Sequence, residues 1–434
     1  MKIEKQQVLI AVGTRPEAIK LLPLIIAVHR SERLSPVVVS SGQHSELVRE
    51  VLGLAGLEPD IDLGAATPGN SLNELFASVM TRFEQYCYEQ FGKPPDTNDR
   101  FSPRPRNFPA ACFVHGDTTT AAAAALAAFH LRIPIAHVEA GLRTSDTLSP
   151  FPEEANRQLV SRLATFHFAP TFRNKANLVR EGVPYGRIFV SGNTAIDALQ
   201  WAAQQRAPYG DPALDDLETD GSTRVIVVTA HRRENWGPGL ERIAAAVAAL
   251  AEQYPEVRFV IPLHPNPRVQ STLRPPLEHL SNVSLIAPMK YTAFARLLQR
   301  AYLAMTDSGG IQEEAPSLHT PVIVMRETTE RQEGVDRGTL KLVGTDTDKI
   351  IAAARQLMED PNEYLLMSSR ANPYGDGRAS ERMVAAMEYI AFDAPLPAPY
   401  GSGFERAEVL RAAGFLIDPV DFLTNPNAER PLGS

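Results

Sequence analysis

Three carboxylates stand at or just past the ends of apolar, strand-like runs: Asp117 in FVHGD, Glu139 in IPIAHVEAG and Glu153 in SPFPEEANR. Carboxylates brought together at strand ends repel one another's charge and so hold different protonation states, which is what an acid/base site needs. Any one of them alone reads as an ordinary loop residue. Three within one short window, interleaved with His137, Arg143 and Arg157, point to chemistry. A second signal is TDSGGIQEE, where an apolar strand ends at Asp307. Ser308, Gly309 and Gly310 let the backbone approach a ligand there, and a helix expected from about Ile311 offers free N–H groups to a phosphate. Glu314, one turn on, is placed to accept ribose hydroxyls. A plain helix cap is the competing reading of this loop.

Basic groups suited to anions sit in matching places. Arg15 and Lys20 in GTRPEAIK follow the first strand, and His231 in VVTAHRREN follows a later one. His264 in PLHPNP holds the comparable place on the next strand, and Arg331 lies in TTERQEG, where a surface ion pair is the alternative. A strand-end histidine donates to phosphate or acts as an acid near neutral pH.

These residues are carried by a repeating grammar of short apolar strand, tight loop and amphipathic helix. VLIAV precedes GTRPEAIKLLPLIIAV, ACFVHGD precedes a helix of threonines and alanines, and TRVIVVTA opens a second series. Such alternation predicts parallel sheets covered on both faces, an α/β class. With 434 residues, two domains are expected. Residues 91–108 break the pattern with four prolines and read as a surface insertion. GNT, after IFVS, is the expected hinge, and the polar stretch up to Ser222 leads to the second series.

A formal net charge of −8 argues against a nucleic-acid partner. No apolar run is long enough for a secretory signal or a bilayer span, so a cytoplasmic protein is expected. Cys87 and Cys112 suggest neither disulfides nor zinc, and no HExxH or CxxC suggests a metal. The absence of GxGxxG and of GxxxxGK[ST] removes the common dinucleotide and P-loop signatures, and no cofactor is expected.

GTRPEAIKLLPLI, VHGDTTT, HVEAGLRT, PFPEEANR, HFAPT, GNTAIDAL, TAHRREN, DSGGIQEEAPSL, TTER and GTLKLVGTD occur in this order. From about residue 7 to 390 the chain thereby resembles the bacterial non-hydrolysing UDP-N-acetylglucosamine 2-epimerases. The resemblance implies a GT-B arrangement of two Rossmann-like, doubly wound domains with an interdomain active-site cleft. Residues 1–191 would form the first domain and 192–378 the UDP-binding second. Residues 379–392 would be a helix crossing back to the first. Beyond the resemblance, residues 393–434, rich in Pro, Gly and Ala, read from their composition as an irregular tail with a short helix near Glu405–Ala413. It also implies a reversible conversion of UDP-N-acetylglucosamine to UDP-N-acetylmannosamine, by loss and re-addition of UDP through a 2-acetamidoglucal, in the synthesis of cell-surface polysaccharide, and a homodimer.

Carried over by position, the catalytic residues are Asp117, Glu139, Glu153, Arg157 and His231. The UDP-sugar contacts are Arg15, Lys20, Phe294, Ser308, Gly309, Gly310, Glu314 and Arg331, with Phe294 beside the uracil. Which carboxylate serves which face of C2 stays open. Gln43 and His264 fit the allosteric site at which some members bind a second UDP-N-acetylglucosamine. Glu46 in place of a common glutamine, and PGNS at 68–71 without the arginine, speak against substrate activation. The rival readings are a hydrolysing relative releasing free sugar, a GT-B glycosyltransferase, and a non-catalytic sugar-nucleotide sensor.

Overall fold

The computed structural model describes residues 5–67, 69–93, 107–144, 146–219, 221–396 and 403–415. Most of the 91–108 insertion, Pro68 of the PGNS stretch and most of the tail after 393 lie outside them. The chain forms two compact units, Met1–Thr194 with Arg378–Ser434, and Ala195–Gly377.

The first unit is built on β1 (Gln6–Val12), β2 (Leu34–Ser40), β3 (Ile61–Asp62), β4 (Ala111–His115), β5 (Ile135–Val138), β6 (Phe166–Ala169) and β7 (Ile188–Val190). All pairings are parallel, in the order β3-β2-β1-β4-β5-β6-β7. Helices cover both faces, so the inner strands are apolar without alternation; β4 and β5 are buried at every position. Phe113, Phe166, Phe168 and Phe189 fill the sheet near its β7 side, with Phe113 and Phe168 stacked at 6.1 Å. The helix Ala379–Phe392 packs on the helix Arg15–Arg30, where the Ser31 hydroxyl donates to Glu388 at 2.7 Å. A short helix, Arg406–Ala412, follows, with Phe404 edge-on to Phe189.

The second unit contains β8 (Val225–Thr229), β9 (Arg258–Pro262), β10 (Val283–Ile286), β11 (Leu303–Thr306), β12 (Val322–Val324) and β13 (Leu340–Leu342). They too are parallel, in the order β10-β9-β8-β11-β12-β13. One core side joins Ile226, Val228, Phe259 and Met305 to the helices Pro238–Gln253 and Thr347–Glu359. The α/β class read from the sequence is the class observed. In each sheet the strand order reverses beside one strand pair, β1/β4 in the first and β8/β11 in the second. The loops beyond the carboxyl ends of such a pair are where open α/β sheets hold ligands.

Candidate active site

At the β1/β4 switch point, Gly13 and Thr14 lead into the helix that begins at Arg15, with Pro16 in its first turn. Glu17 folds back over this turn and is 2% exposed. It accepts from the Gly13 N–H at 3.1 Å, the Thr14 N–H at 2.8 Å, the Thr14 hydroxyl at 2.9 Å and the Thr118 hydroxyl at 2.7 Å. Thr118 belongs to the loop after β4, so Glu17 ties the two switch-point loops together. They are pressed close, because a Cβ on Gly13 would lie 2.2 Å from the Thr120 hydroxyl oxygen. Burial pushes the Glu17 carboxyl up to about 7, against the pull of its four donors.

Glu139 follows β5 in a left-handed backbone conformation, φ 62°, which few side chains adopt without support. The support is visible: Lys20 Nζ reaches its two oxygens at 2.7 and 2.8 Å, and Asn193 Nδ2 donates to it at 3.4 Å. His115 Nε2 lies 3.2 Å away, in contact but not aligned for a hydrogen bond. Burial drives His115 down to about 4, so it is neutral beside this carboxylate at pH 7. Asp117 meets Arg157 Nη2 at 2.6 Å, and the Asn156 amide holds its backbone carbonyl at 2.9 Å. Burial raises the Asp117 carboxyl above its ordinary value and Glu139 adds to this, while Arg157 and Lys20 oppose it. His137, neutral through burial, bonds the Gly116 carbonyl at 2.8 Å and so steadies the Asp117 loop.

Asp117, Glu139, Lys20 and Arg157 are thus one cluster. Glu153 opens the helix Glu153–Leu163, and its Oε2 is shielded from solvent without a hydrogen bond from the described residues. Its neighbour Glu154 is fully buried and bonded to Arg157, Thr144 and Gln158. Lys20, expected as a diphosphate contact, is engaged with Glu139, whereas Arg15 keeps a buried Nε without a hydrogen bond from the described residues. Arg143 is structural, bonded to Glu181 and Ser161. Gln43 accepts from the Thr120 hydroxyl at 3.0 Å.

At the β8/β11 switch point of the second unit, Asp307, just past β11, ties the two loops together as Glu17 does in the first. Fully buried, it accepts from the His231 and Arg232 N–H groups at 2.9 and 2.8 Å and from the Asn235 amide at 3.1 Å. This fixes His231, whose ring stacks on that of His264 at 5.3 Å with planes 6° apart. Burial lowers the His231 pKa, helped by His264 and Arg232 and opposed by Asp307. The ring is therefore neutral at pH 7, a hydrogen-bonding group rather than a fixed cation.

Ser308 caps the next helix, which begins at Gly309 rather than near Ile311 and runs only to Glu314. Six residues give a weak dipole, so the cationic character here comes from side chains. A Cβ on Gly309 would lie 3.1 Å from both the Arg232 and the Arg331 guanidinium, so both crowd the backbone of the Gly-Gly turn. Arg331 also pairs with Glu313 at 2.7 Å and with Glu330, which makes it more than a surface ion pair. Gly310 lies 3.9 Å, by its hypothetical Cβ, from Glu314. Phe294 packs on the core beside Tyr291, whose buried hydroxyl is raised by burial and by the charge of Glu314. Glu17, Glu154, His115, Asn193, Asp307 and Arg232 also build the site, though their residue types and spacing do not single them out. Their one sequence signal is that each lies inside one of the ordered motifs.

Residues 104–388 match the family described as UDP-N-acetylglucosamine 2-epimerase. A Yersinia pestis UDP-N-acetylglucosamine 2-epimerase is 45% identical over 386 residues, covering 88% of this chain and 98% of the relative. The chain belongs to the UDP-N-acetylglucosamine 2-epimerase family. Its members are isomerases. Among solved structures, the Neisseria meningitidis UDP-GlcNAc 2-epimerase bound to UDP-GlcNAc superposes with a TM-score of 0.72 at 41% identity, over 88% of this chain and 99% of that one. The S. aureus MnaA complex with UDP gives 0.75 at 39% identity, over 91% and 100%. Both of these chains are matched over nearly their whole lengths, so both α/β units of this chain are family features. No helix among the described residues is long and apolar enough to cross a membrane.

Proposed function

We propose that the protein interconverts UDP-N-acetylglucosamine and UDP-N-acetylmannosamine by elimination and re-addition of UDP. In the forward step a carboxylate takes the C2 proton while the C1–O bond breaks. UDP leaves with that electron pair, and a C1–C2 double bond remains. Re-addition forms the C1–O bond again as a proton reaches C2 from the opposite face. Two faces need two proton carriers.

The observation that carries this reading is the pairing of Asp117 and Glu139 in one cluster, each backed by its own cation, Arg157 and Lys20. A non-catalytic sensor has no need of two differently supported carboxylates. Glu153 is the third acid of this reading. In the second unit His231, Ser308, Gly309, Gly310 and Arg331 hold the diphosphate. Glu314 takes the ribose hydroxyls and Phe294 lies by the uracil. Fixed donors aimed at the leaving oxygen stabilise charge as it develops.

Incubation with UDP-N-acetylglucosamine in deuterated water, followed by NMR, is expected to show both UDP-sugars with deuterium at C2. Epimer without deuterium overturns the elimination, and accumulation of free N-acetylmannosamine with UDP identifies a hydrolase. Asp117→Asn and Glu139→Gln are each expected to cut the exchange rate by about 100-fold or more while UDP still binds.

A further inference from the structure

The helix Glu153–Leu163 carries two adjacent glutamates, and the one the proposed chemistry leaves unused is the better buried. Glu154 is 0% exposed, a costly place for a carboxylate unless it is paired. It is paired: Oε2 accepts from Arg157 Nη1 at 3.0 Å and the Thr144 N–H at 3.1 Å, and Oε1 from Gln158 Nε2 at 3.2 Å. Burial acts to raise its pKa, but these donors outweigh it and hold the carboxyl below its ordinary value. Glu154 is therefore ionised at working pH. Arg157, 8% exposed, spends its other terminal nitrogen on Asp117 at 2.6 Å. One guanidinium is shared between two carboxylates.

We propose that Glu154 is a positioning residue that sets how much of the Arg157 charge reaches Asp117, and so how basic the Asp117 carboxylate is. The catalytic consequence rests on Asp117 being a proton carrier, as read above. Asp117 faces Arg157 from this helix, Glu139 from the end of β5 and Lys20 from the helix Arg15–Arg30. Arg157 has a second anion, Glu154, bonded to its guanidinium on the same helix. With Glu154 ionised, part of the field of Arg157 is cancelled and Asp117 keeps its proton affinity. With Glu154 neutral, the whole guanidinium charge falls on Asp117 and weakens it as a base.

Glu154→Gln separates charge from shape. A glutamine oxygen placed at Oε2 accepts from Arg157 and Thr144 as before, and its NH2 at Oε1 donates to Gln158 once that amide turns over. Only the charge is lost. The direct readout is the carboxyl titration of Asp117 by carbon-13 NMR on the full-length protein without substrate, the signal assigned by its loss in Asp117→Asn. E154Q is expected to lower the midpoint by about one pH unit, and the acid limb of kcat moves the same way. Glu154→Asp, which keeps the charge, is expected to restore most of the midpoint. A purely structural role would change stability and leave the midpoint alone.

If E154Q does not fold, Gln158→Leu at a half-buried position supplies the opposite sign. It removes the amide donor from Glu154, leaves the carboxylate charge more fully on Arg157, and raises the midpoint. An unmoved midpoint in E154Q, or in Q158L where E154Q is unfolded, overturns the role of Glu154 even if the enzyme exchanges deuterium at C2. A wild type that exchanges none overturns the epimerase reading instead, and the catalytic consequence with it.

Discussion

Glu17 and Glu154 are both buried and both accept several hydrogen bonds, yet Glu17 is pushed up to about 7 while Glu154 falls below its ordinary value. The difference lies in the donors. Glu17 is surrounded by neutral N–H and hydroxyl groups, whereas Glu154 touches a guanidinium. A neutral donor offsets part of the lost hydration, and a charged one more of it. For Glu17 the folded state holds the proton more tightly than the unfolded chain. Its contribution to stability is therefore complete below pH 4.5 and is lost as pH rises through about 7. The full difference is on the order of 3 kcal/mol. Glu17→Gln keeps an acceptor for Gly13 and Thr14 and turns its NH2 to the Thr118 hydroxyl, so it lacks this slope. Urea denaturation at pH 5 and pH 8 is expected to show the variant gaining on the wild type by about 2–3 kcal/mol between the two. Parallel curves would remove Glu17 as the titrating group.

The elements explain which parts of the site could be read in the sequence. VLIAV and FVHGD announce themselves because parallel strands covered on both faces are apolar throughout, and the carboxylates at their ends are conspicuous. What a side chain touches is not conspicuous. In PEE the two glutamates differ by one step of helical phase, which sends Glu153 and Glu154 to different surroundings. Lys20 reads as a phosphate ligand, but the partner one helix turn in from β1 is Glu139, beyond any local pattern. His264 is read from the order of strands, whereas the structure pairs its ring with His231 within the second unit. The same limit applies to glycines: Gly141 and Gly182 both have φ above +80°, and although Gly141 stands in HVEAGLRT, the motif does not say what it touches. A Cβ on Gly141 would stand 2.3 Å from the backbone carbonyl oxygen of Asn174, whereas one on Gly182 meets nothing within 4 Å. Gly182→Ala should cost about 1–2 kcal/mol for the left-handed backbone alone. Gly141→Ala must also displace the helix Phe172–Arg180, whose Asn177 bonds the Gly141 carbonyl at 2.9 Å. Its expected cost is about 4 kcal/mol or more, measured as the shift in urea midpoint at constant slope. Equal costs would mean that this packing yields freely.

At the scale of the whole molecule, the first unit is discontinuous: its sheet is complete by β7, but its last helix arrives only after the chain has built the second unit. Met383, Val384, Met387 and Ile390 of that helix are each at most 9% exposed. At about 1.5–3 kcal/mol for each such side chain, their burial adds up to roughly 6–12 kcal/mol. That is as large as the whole stability of an ordinary domain, about 5–15 kcal/mol. The helix Arg15–Arg30, which carries Arg15, Glu17 and Lys20, is the surface it covers. The second unit has its own sheet and core and ends at Gly377. A chain stopped at Gly377 should therefore lose protection of the amides of β1, β2 and β4 to hydrogen exchange, while β8, β9 and β11 keep theirs. Retained protection in β1 would show that the first unit's core stands without its closing helix. Loss in both units together would show that their folding is coupled. On the expected outcome, the cluster of Asp117 and Glu139 depends for its geometry on residues more than 230 positions away in sequence, beyond the end of the second unit.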